Sequence, residues 1–594
     1  MLKGGKLKMF TKVNDLKNSI FSKLKESCLK KFKKLKTTKY INIYTITIFL
    51  FSLFVFSPLF FSYIFGDDST FHAANVAVRG SNLFYAFSKI VPKIGNDLGY
   101  GIGIFYPILP HLVGGLILNV ISIFGFGEFA ALKIVKFLII FCSGITMYVF
   151  ATKLFKDKLH GMVASLFYLS SSYFFVDLYS RDALNESAVF VFMPLIFLGI
   201  YYLFIENNHF NFYVCFVLGY VGMMYSHLVI SVWFTLIFIL FLLLFVKKII
   251  KKNYIIPLII AALLILILTS PFTVLLIQHM LNGEYVIFDI QRPFLSSTLK
   301  LKQFFVQISN ITSNHNYLFV NFNIVVILLS IISLFKLFTK KIPLYRRKFI
   351  IGFLLICLIG MFLVCNDTIW YYTPDFLNSI QFPWRACTFV TLGISLFATE
   401  SLDVFYNLFK KKFIPVATLL IIIILSANVY YNIQNIQRIS DISYNINDGM
   451  GWDREYLPTE TVKHIQYFIN RKDDEIKINK GIGDVMIINN DVPNMVFEVT
   501  NVKKPITLEL PRLYYLGYKV VDENGNNIDY FKNDNGFISI EINKNGKYSV
   551  SYLGTFAYQL SVALCILTLG ICAIILFFKY KKQIQNKLKH KDVL

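Results

Sequence analysis

The chain has 594 residues, of which 56% are hydrophobic, with a mean hydropathy of +0.58 and a formal charge of +24. So apolar a composition excludes a soluble multidomain protein, because runs of about 20 apolar residues, each able to span a bilayer, recur along the sequence. The charge sits in short lysine-rich segments between those runs, which marks topology rather than nucleic-acid binding.

Residues 1–40 form a basic tail containing KLKESCLKKFKKLKTTK. Apolar runs near 41–65, 129–152, 159–177, 187–205, 211–226, 228–247, 254–275, 318–338, 348–365, 385–407, 413–430 and 554–579 predict twelve transmembrane helices. Even numbers of crossings separate the tail from KLFKDK, KKIIKK, KKIPLYRRK, the lysines at 410–412 and KYKKQIQNKLKHK. All of these then face the cytoplasm, as do both termini. The first run is too long for the core of a cleavable signal, and no small-residue cleavage site follows it.

The first outer loop, 66–128, opens with FGDDSTFH at 65–72. A helix starting near Ser69 puts Asp68 at its cap, where the carboxylate would accept amide hydrogen bonds. Capping leaves His72 unexplained. It stands four residues after Asp68 on nearly the same face, so the two could hold a divalent cation, or one could act as base while the other orients it. Further on, IFYPILPHLVGGLILNVISIF at 104–124 is apolar enough to cross but carries two prolines and a Gly-Gly pair. Counting it would invert every later loop, so it is read as a re-entrant or surface-lying helix, with His111 facing the same outer space.

YSRDALNE at 179–186 sets Arg181, Asp182, Asn185 and Glu186 between two apolar runs. Ionisable groups beside the bilayer are functional candidates. Arg181 offers a forked donor for a phosphate, and Glu186 a second acid or metal ligand, against the alternative of a polar turn. His227 is a further candidate, with a helix-interface role as the alternative, and Arg79 could equally be a headgroup anchor. Arg385 in QFPWRA is a candidate whose plainer reading is an interfacial Trp-Arg anchor. The outer segments 276–317 and 366–385 are polar loops. Cysteines avoid 431–552, so no disulfide framework is expected.

The stretch 431–552 changes character: PTETVKHIQYFINRK starts a short helix, and alternating runs such as NMVFEVTNV, FISIEI and KYSVSYLG follow, separated by ENGNN, NDNG and NKNGK. A small extracytoplasmic β-sandwich of six to eight strands is expected there, followed by a last crossing and basic tail over 553–594. No P-loop, dinucleotide fingerprint, HExxH or nucleophile elbow occurs in a credible context.

G-x-D-x-x-x-H, GYGIGIFYPILPH, Y-x-R-x-x-x-x-E and QFPWR follow one another in order. Together they resemble the bacterial multi-pass family labelled 6-pyruvoyl-tetrahydropterin synthase-related, a neighbour of the YfhO-like proteins, and through it the GT-C class of membrane glycosyltransferases. The resemblance covers about 41–430. It implies a GT-C-like transmembrane domain that takes a sugar from a polyprenyl-phosphate donor and passes it to an envelope acceptor on the outer face. It also implies an acidic residue of the first outer loop as base or metal ligand: Asp68 first, Asp67 second. The alternative is a non-enzymatic membrane protein, a lipid-linked glycan transporter or an assembly scaffold. Membrane lipid is a partner under either reading, nucleic acid under neither, and the expected location is the bacterial cell membrane.

Overall fold

A computed structural model describes residues 42–289, 298–305, 319–339, 342–372, 381–436 and 444–591. The basic tail, parts of the loops 276–317 and 366–385, and 437–443 lie outside the described residues.

The first half is a helical bundle: α1 (Ile43–Phe56), α2 (Ser69–Ser81), α3 (Leu109–Ile121), α4 (Glu128–Phe155), α5 (Lys158–Leu169), α6 (Leu184–Phe204), α7 (His209–Ser226) and α8 (Leu228–Leu243). It continues with α9 (Lys252–Asn282), α10 (Ile324–Leu337), α11 (Leu344–Cys365), α12 (Cys387–Thr399) and α13 (Ile414–Gln434), and α14 (Phe556–Lys591) closes the chain. Among the described residues, seven helical segments are long and apolar enough to cross a membrane, or eight if the bent pair Lys158–Leu169 and Ser172–Ser180 is one span. This differs from the twelve expected. The helix on the run at 211–226, His209–Ser226, is not among the seven or eight. The runs at 41–65, 228–247 and 318–338 give only the shorter helices Ile43–Leu59, Leu228–Leu243 and Ile324–Leu337. Asn323 shows why, since its side chain accepts the Val325 amide and caps α10 well inside the apolar run.

The segment 104–124 forms α3, whose 13 residues reach about 20 Å, short of a hydrocarbon core. Its Gly-Gly pair does not break it. A Cβ on Gly114 would stand 2.7 Å from Val76, and one on Gly115 2.9 Å from the Arg79 backbone. The two glycines are where α3 crosses α2 at close range.

The sheet domain begins with two short helices, Thr459–Lys463 and Ile465–Asn470. Strands β1 (Lys477–Asp491), β2 (Asn494–Leu513), β3 (Tyr518–Asp522), β4 (Asn527–Ile528), β5 (Tyr530–Lys532), β6 (Phe537–Ile542) and β7 (Gly546–Tyr552) follow. They make one antiparallel sheet in the order β4-β3-β7-β2-β6-β5, with β1 also on β2, instead of two packed sheets. The long β2 explains the difference: its first half pairs with β7 and its second with β6. Pro505, which has no amide to donate, lies where the partner changes.

The sheet domain and the first outer loop share one apolar core. Leu513 N donates to Leu98 O at 2.9 Å, Tyr100 OH donates to Met450 O at 3.0 Å, and Phe105 stacks on Tyr456 with ring centres 5.6 Å apart. Tyr285, just past α9, stacks on Tyr515 at 5.7 Å.

Candidate functional site

The turn before α2 is held by a second segment more than a hundred residues away. Asp67 N donates to Ser180 O at 3.1 Å and Asp68 N to Arg181 O at 2.9 Å. Gly66 is required by this approach, since a Cβ there would collide with the Tyr179 and Ser180 carbonyls. The far segment arrives through a π-helical turn, Val176–Ser180, closed by Arg181 N donating to Val176 O at 2.8 Å. Such turns recur at functional sites. Asp182 follows with φ +52°, a left-handed conformation that Asp tolerates.

Two buried ionic clusters meet at this junction. In the first, Asp182 lies 2.7 Å from Lys136 Nζ and accepts hydrogen bonds from Tyr63 OH at 2.8 Å and Ser69 Oγ at 2.5 Å. Ser69 Oγ in turn accepts from Gly66 N at 2.7 Å, so the cluster fixes the turn that bears Asp67 and Asp68. In the second, Arg181 Nη1 contacts Asp177 at 2.6 Å, Glu186 at 3.0 Å and Tyr173 OH at 3.3 Å. Glu186 also accepts from Tyr173 OH at 2.8 Å and from Arg385 Nε at 3.2 Å. Arg385 Nη1 donates to Gln381 at 2.7 Å.

Asp68 stands at the cap position of α2, as expected, yet its carboxylate accepts no capping hydrogen bond. The capping role is thereby corrected: the Ser69 hydroxyl takes up the Gly66 amide, and the Asp68 side chain stays half-buried at the edge of the clusters. Burial pushes its carboxyl up to about 7; Arg181 and Arg385 oppose that shift, while Asp67 and Asp182 add to it.

His72 is buried, with both ring nitrogens engaged. Leu184 N donates to Nε2 at 3.2 Å, which leaves the proton on Nδ1, and that proton points to His111 Nε2 at 2.7 Å. Burial and the Lys136 charge hold its pKa down to about 3. The expected Asp68–His72 cation site therefore does not fit this arrangement, because a ligand nitrogen would have to give up a buried partner. Among the described residues no three His, Cys, Asp or Glu side chains converge as metal ligands.

Arg181 also departs from expectation, since its Nη1 is committed to two carboxylates and a tyrosine inside the protein. Arg385 is no interfacial anchor: it is buried, and Trp384 beside it is buried too, stacked on Phe382 with ring centres 4.6 Å apart. His227 caps α8, Ile230 N donating to its Nδ1 at 3.3 Å, with Arg385, Glu186 and Arg181 as its charged neighbours. Asn185 ties the junction together, donating to Pro107 O at 2.7 Å and Ser226 O at 2.9 Å.

Sequence reasoning missed Lys136, Asp177, Tyr173 and Tyr106. Asp177 carried a signal, as a single charge inside an apolar run. Tyr106, half-buried, packs against Phe71 and His111 with centre distances of 5.4 and 5.8 Å, and its charged neighbours are Asp68, Arg385, Glu455 and Glu186. On the lateral face an apolar groove of about 500 Å³ runs past Tyr63, Ile121, Phe126, Phe129 and Ile134. It ends one hydrogen bond from Asp182.

No family model matches the chain, and no curated protein matches it. Among solved structures it is similar to the arabinofuranosyltransferase AftD from Mycobacteria, with 10% identity, a TM-score of 0.43, and 67% of this chain and 27% of that one covered. It is similar to the archaeal oligosaccharyltransferase AglB from Archaeoglobus fulgidus in complex with an inhibitory peptide and a dolichol-phosphate, with 12% identity, a TM-score of 0.33, and 68% and 57% covered. The apo form of the Archaeoglobus fulgidus oligosaccharyltransferase gives 12% identity, a TM-score of 0.34, and 73% and 60% covered. The chain thus spans 27% of the length of the first of these proteins and 57–60% of the other two.

Proposed function

We propose that this multi-pass membrane protein transfers a sugar from a polyprenyl-phosphate donor to an envelope acceptor on the outer face of the cell membrane. The reading rests on one observation: Asp68 presents a half-buried carboxylate with no capping bond and a pKa raised to about 7, beside a cluster holding Arg181 and Arg385. A base is most effective when its pKa lies near the working pH. In the proposed step the acceptor hydroxyl gives its proton to Asp68 and its oxygen bonds to the anomeric carbon. The bond from that carbon to the donor phosphate breaks, and the phosphate leaves with the electron pair. The Arg181 and Arg385 guanidinium groups, held by Asp177 and Glu186, supply fixed N–H dipoles beside the departing charge. Asp67 is the adjoining acid, and Tyr106 the wall between Asp68 and Glu455. The isoprenoid tail would lie in the apolar groove beside Tyr63.

The test is transfer by the purified full chain with a panel of polyprenyl-phosphate sugars, comparing wild type with Asp68→Asn. Turnover of at least one donor that Asp68→Asn abolishes supports the reading. Equal turnover by both proteins would remove Asp68 from the chemistry.

A further inference from the structure

Arg79, in the last turn of α2, is 1% exposed. Its Nη1 donates to the carbonyls of Tyr85, Ala86 and Ser88 at 3.1–3.3 Å. Its Nε and Nη2 are buried and have no hydrogen-bond partner among the described residues. Nor is its charge balanced, for among the described residues no carboxylate acts on it. Lys89, in the same loop, repeats the pattern: the charged group that acts on it is Arg79 itself, and its Nζ lies 5.7 Å from the Tyr558 ring centre. Two neighbouring cations without a counter-ion are unfavourable unless an anion joins them, because buried charges are normally paired.

The surroundings say which anion. Leu83, Phe84 and Phe87, in the short stretch between Arg79 and Lys89, are 62%, 87% and 64% exposed. Phe556, two residues before Tyr558 at the start of the apolar α14, is 81% exposed. A dissolved anion would have no use for this apolar rim, whereas a phospholipid needs both halves: cations for its phosphate and apolar surface for its chains.

We propose that Arg79 and Lys89 hold the phosphate of an anionic phospholipid at the membrane interface on the Asp68 side, its chains lying against Leu83, Phe84, Phe87 and the first turns of α14. The pKa directions agree, since burial brings Arg79 down to about 10, and burial with the Arg79 charge brings Lys89 down to about 7, the mark of cations lacking a partner. The site is separate from the proposed donor site. Eleven helical residues set Arg79 about 16 Å along α2 from Asp68. The inference therefore stands whether or not the chain transfers sugar.

The experiment is native mass spectrometry of the full chain in detergent, titrated with phosphatidylglycerol, chain-matched phosphatidylcholine or inorganic phosphate. Wild type should retain one tightly bound phosphatidylglycerol that phosphatidylcholine does not displace. Lys89→Gln should weaken that binding by about fivefold or more, the effect of one interfacial cation. Lys251→Gln, far from the site, should leave it unchanged and reports the background from other basic loops. Phe84→Ser should weaken phosphatidylglycerol and spare phosphate. Arg79→Gln removes three carbonyl contacts and could fail to fold, so Lys89→Gln and Phe84→Ser are the deciding variants. Phosphatidylglycerol binding unaltered by Lys89→Gln would overturn the site. Inorganic phosphate binding as tightly as the lipid, with Phe84→Ser neutral for both, would overturn the lipid.

Discussion

Arg385 Nε lies 3.2 Å from Glu186 Oε2, so two residues 199 positions apart in the chain meet in the protein interior. Glu186 is shared, because the same Oε2 lies 3.0 Å from Arg181 Nη1. Removing the negative charge leaves two buried guanidinium groups with Asp177 as their remaining close carboxylate. Glu186→Gln should therefore destabilise the protein by about 3–5 kcal/mol, as breaking a buried pair does. Arg385→Gln should cost less, since Glu186 keeps Arg181. Unfolding in detergent measures both; equal stability of Glu186→Gln and wild type would contradict the arrangement.

Asp68 separates chemistry from structure in one substitution. Its side chain caps nothing, so Asp68→Asn should leave the melting temperature unchanged or slightly raised at pH 8. Transfer should fall about a hundredfold or more, the scale of a lost acid–base group. A drop in stability with transfer intact would reverse the assignment.

The raised carboxyl of Asp68 also fixes two pH dependences. The folded value is about 7 against an ordinary 3.8, so the folded state holds this proton where the unfolded chain does not. The contribution of Asp68 to stability is fully present below about pH 4 and is lost as pH rises through about 7. Activity runs the other way, because a base must be ionised, and kcat/KM should rise through about pH 7. Chemical denaturation across this window should show a slope that Asp68→Asn removes. An activity profile flat from pH 6 to 8 would count against a basic Asp68.

Lys136 and Asp182 should behave as a unit. Lys136→Met leaves Asp182 charged and without its cation, and Asp182→Asn strands Lys136, so each should cost about 3–5 kcal/mol. The double variant should cost less than the sum, since no lone charge remains. Its transfer should still fall, because the Ser69 contact that steadies the Asp68 turn is weakened. Strict additivity would show that the pair does not act as one.

Topology is open to direct labelling. Lys251, at the start of α9, and Asn524, in an exposed turn of the sheet domain, are read on opposite sides of the membrane. Cysteine at Asn524 should react with an impermeant thiol reagent in intact cells and cysteine at Lys251 should not. The reverse pattern would turn the site towards the cytoplasm.

Much of the junction is legible in the sequence because polar residues stand out beside apolar runs. Asp68, His72, Arg181, Glu186 and Arg385 each stand out on that basis, and the structure brings them together. Their contacts are not legible. Nothing in the spacing pairs Arg385 with Glu186, and nothing in FGDDSTFH says that Ser69 would hold the Gly66 amide while Asp68 caps nothing. Lys136 looks like an ordinary rim charge, because its partner lies 46 residues on and the helix that buries it has no amphipathic stripe to mark an inner face. The span count fails for a similar reason. Apolar residues continue past helix ends when the following turn is itself packed inside protein, as around Phe322 and Asn323, and hydropathy does not register the cap. In the sheet, the turn signals separate the later strands correctly, but a strand that changes partner midway reads as two.

The aromatic contacts beneath the sheet domain bear on how freely that domain can be exchanged. Tyr456 and Tyr515 complete the packing of Phe105 and Tyr285, residues that belong to the outer loop and to the end of α9. Another β module grafted over 444–552 would have to carry the same aromatic underside, or the loop bearing Tyr106 would lose its backing. The sheet unit is therefore no detachable cassette. Its room for variation lies at the β4 edge, because the other edge strand, β5, sets Tyr530 against Tyr514 and Lys532 against Glu460.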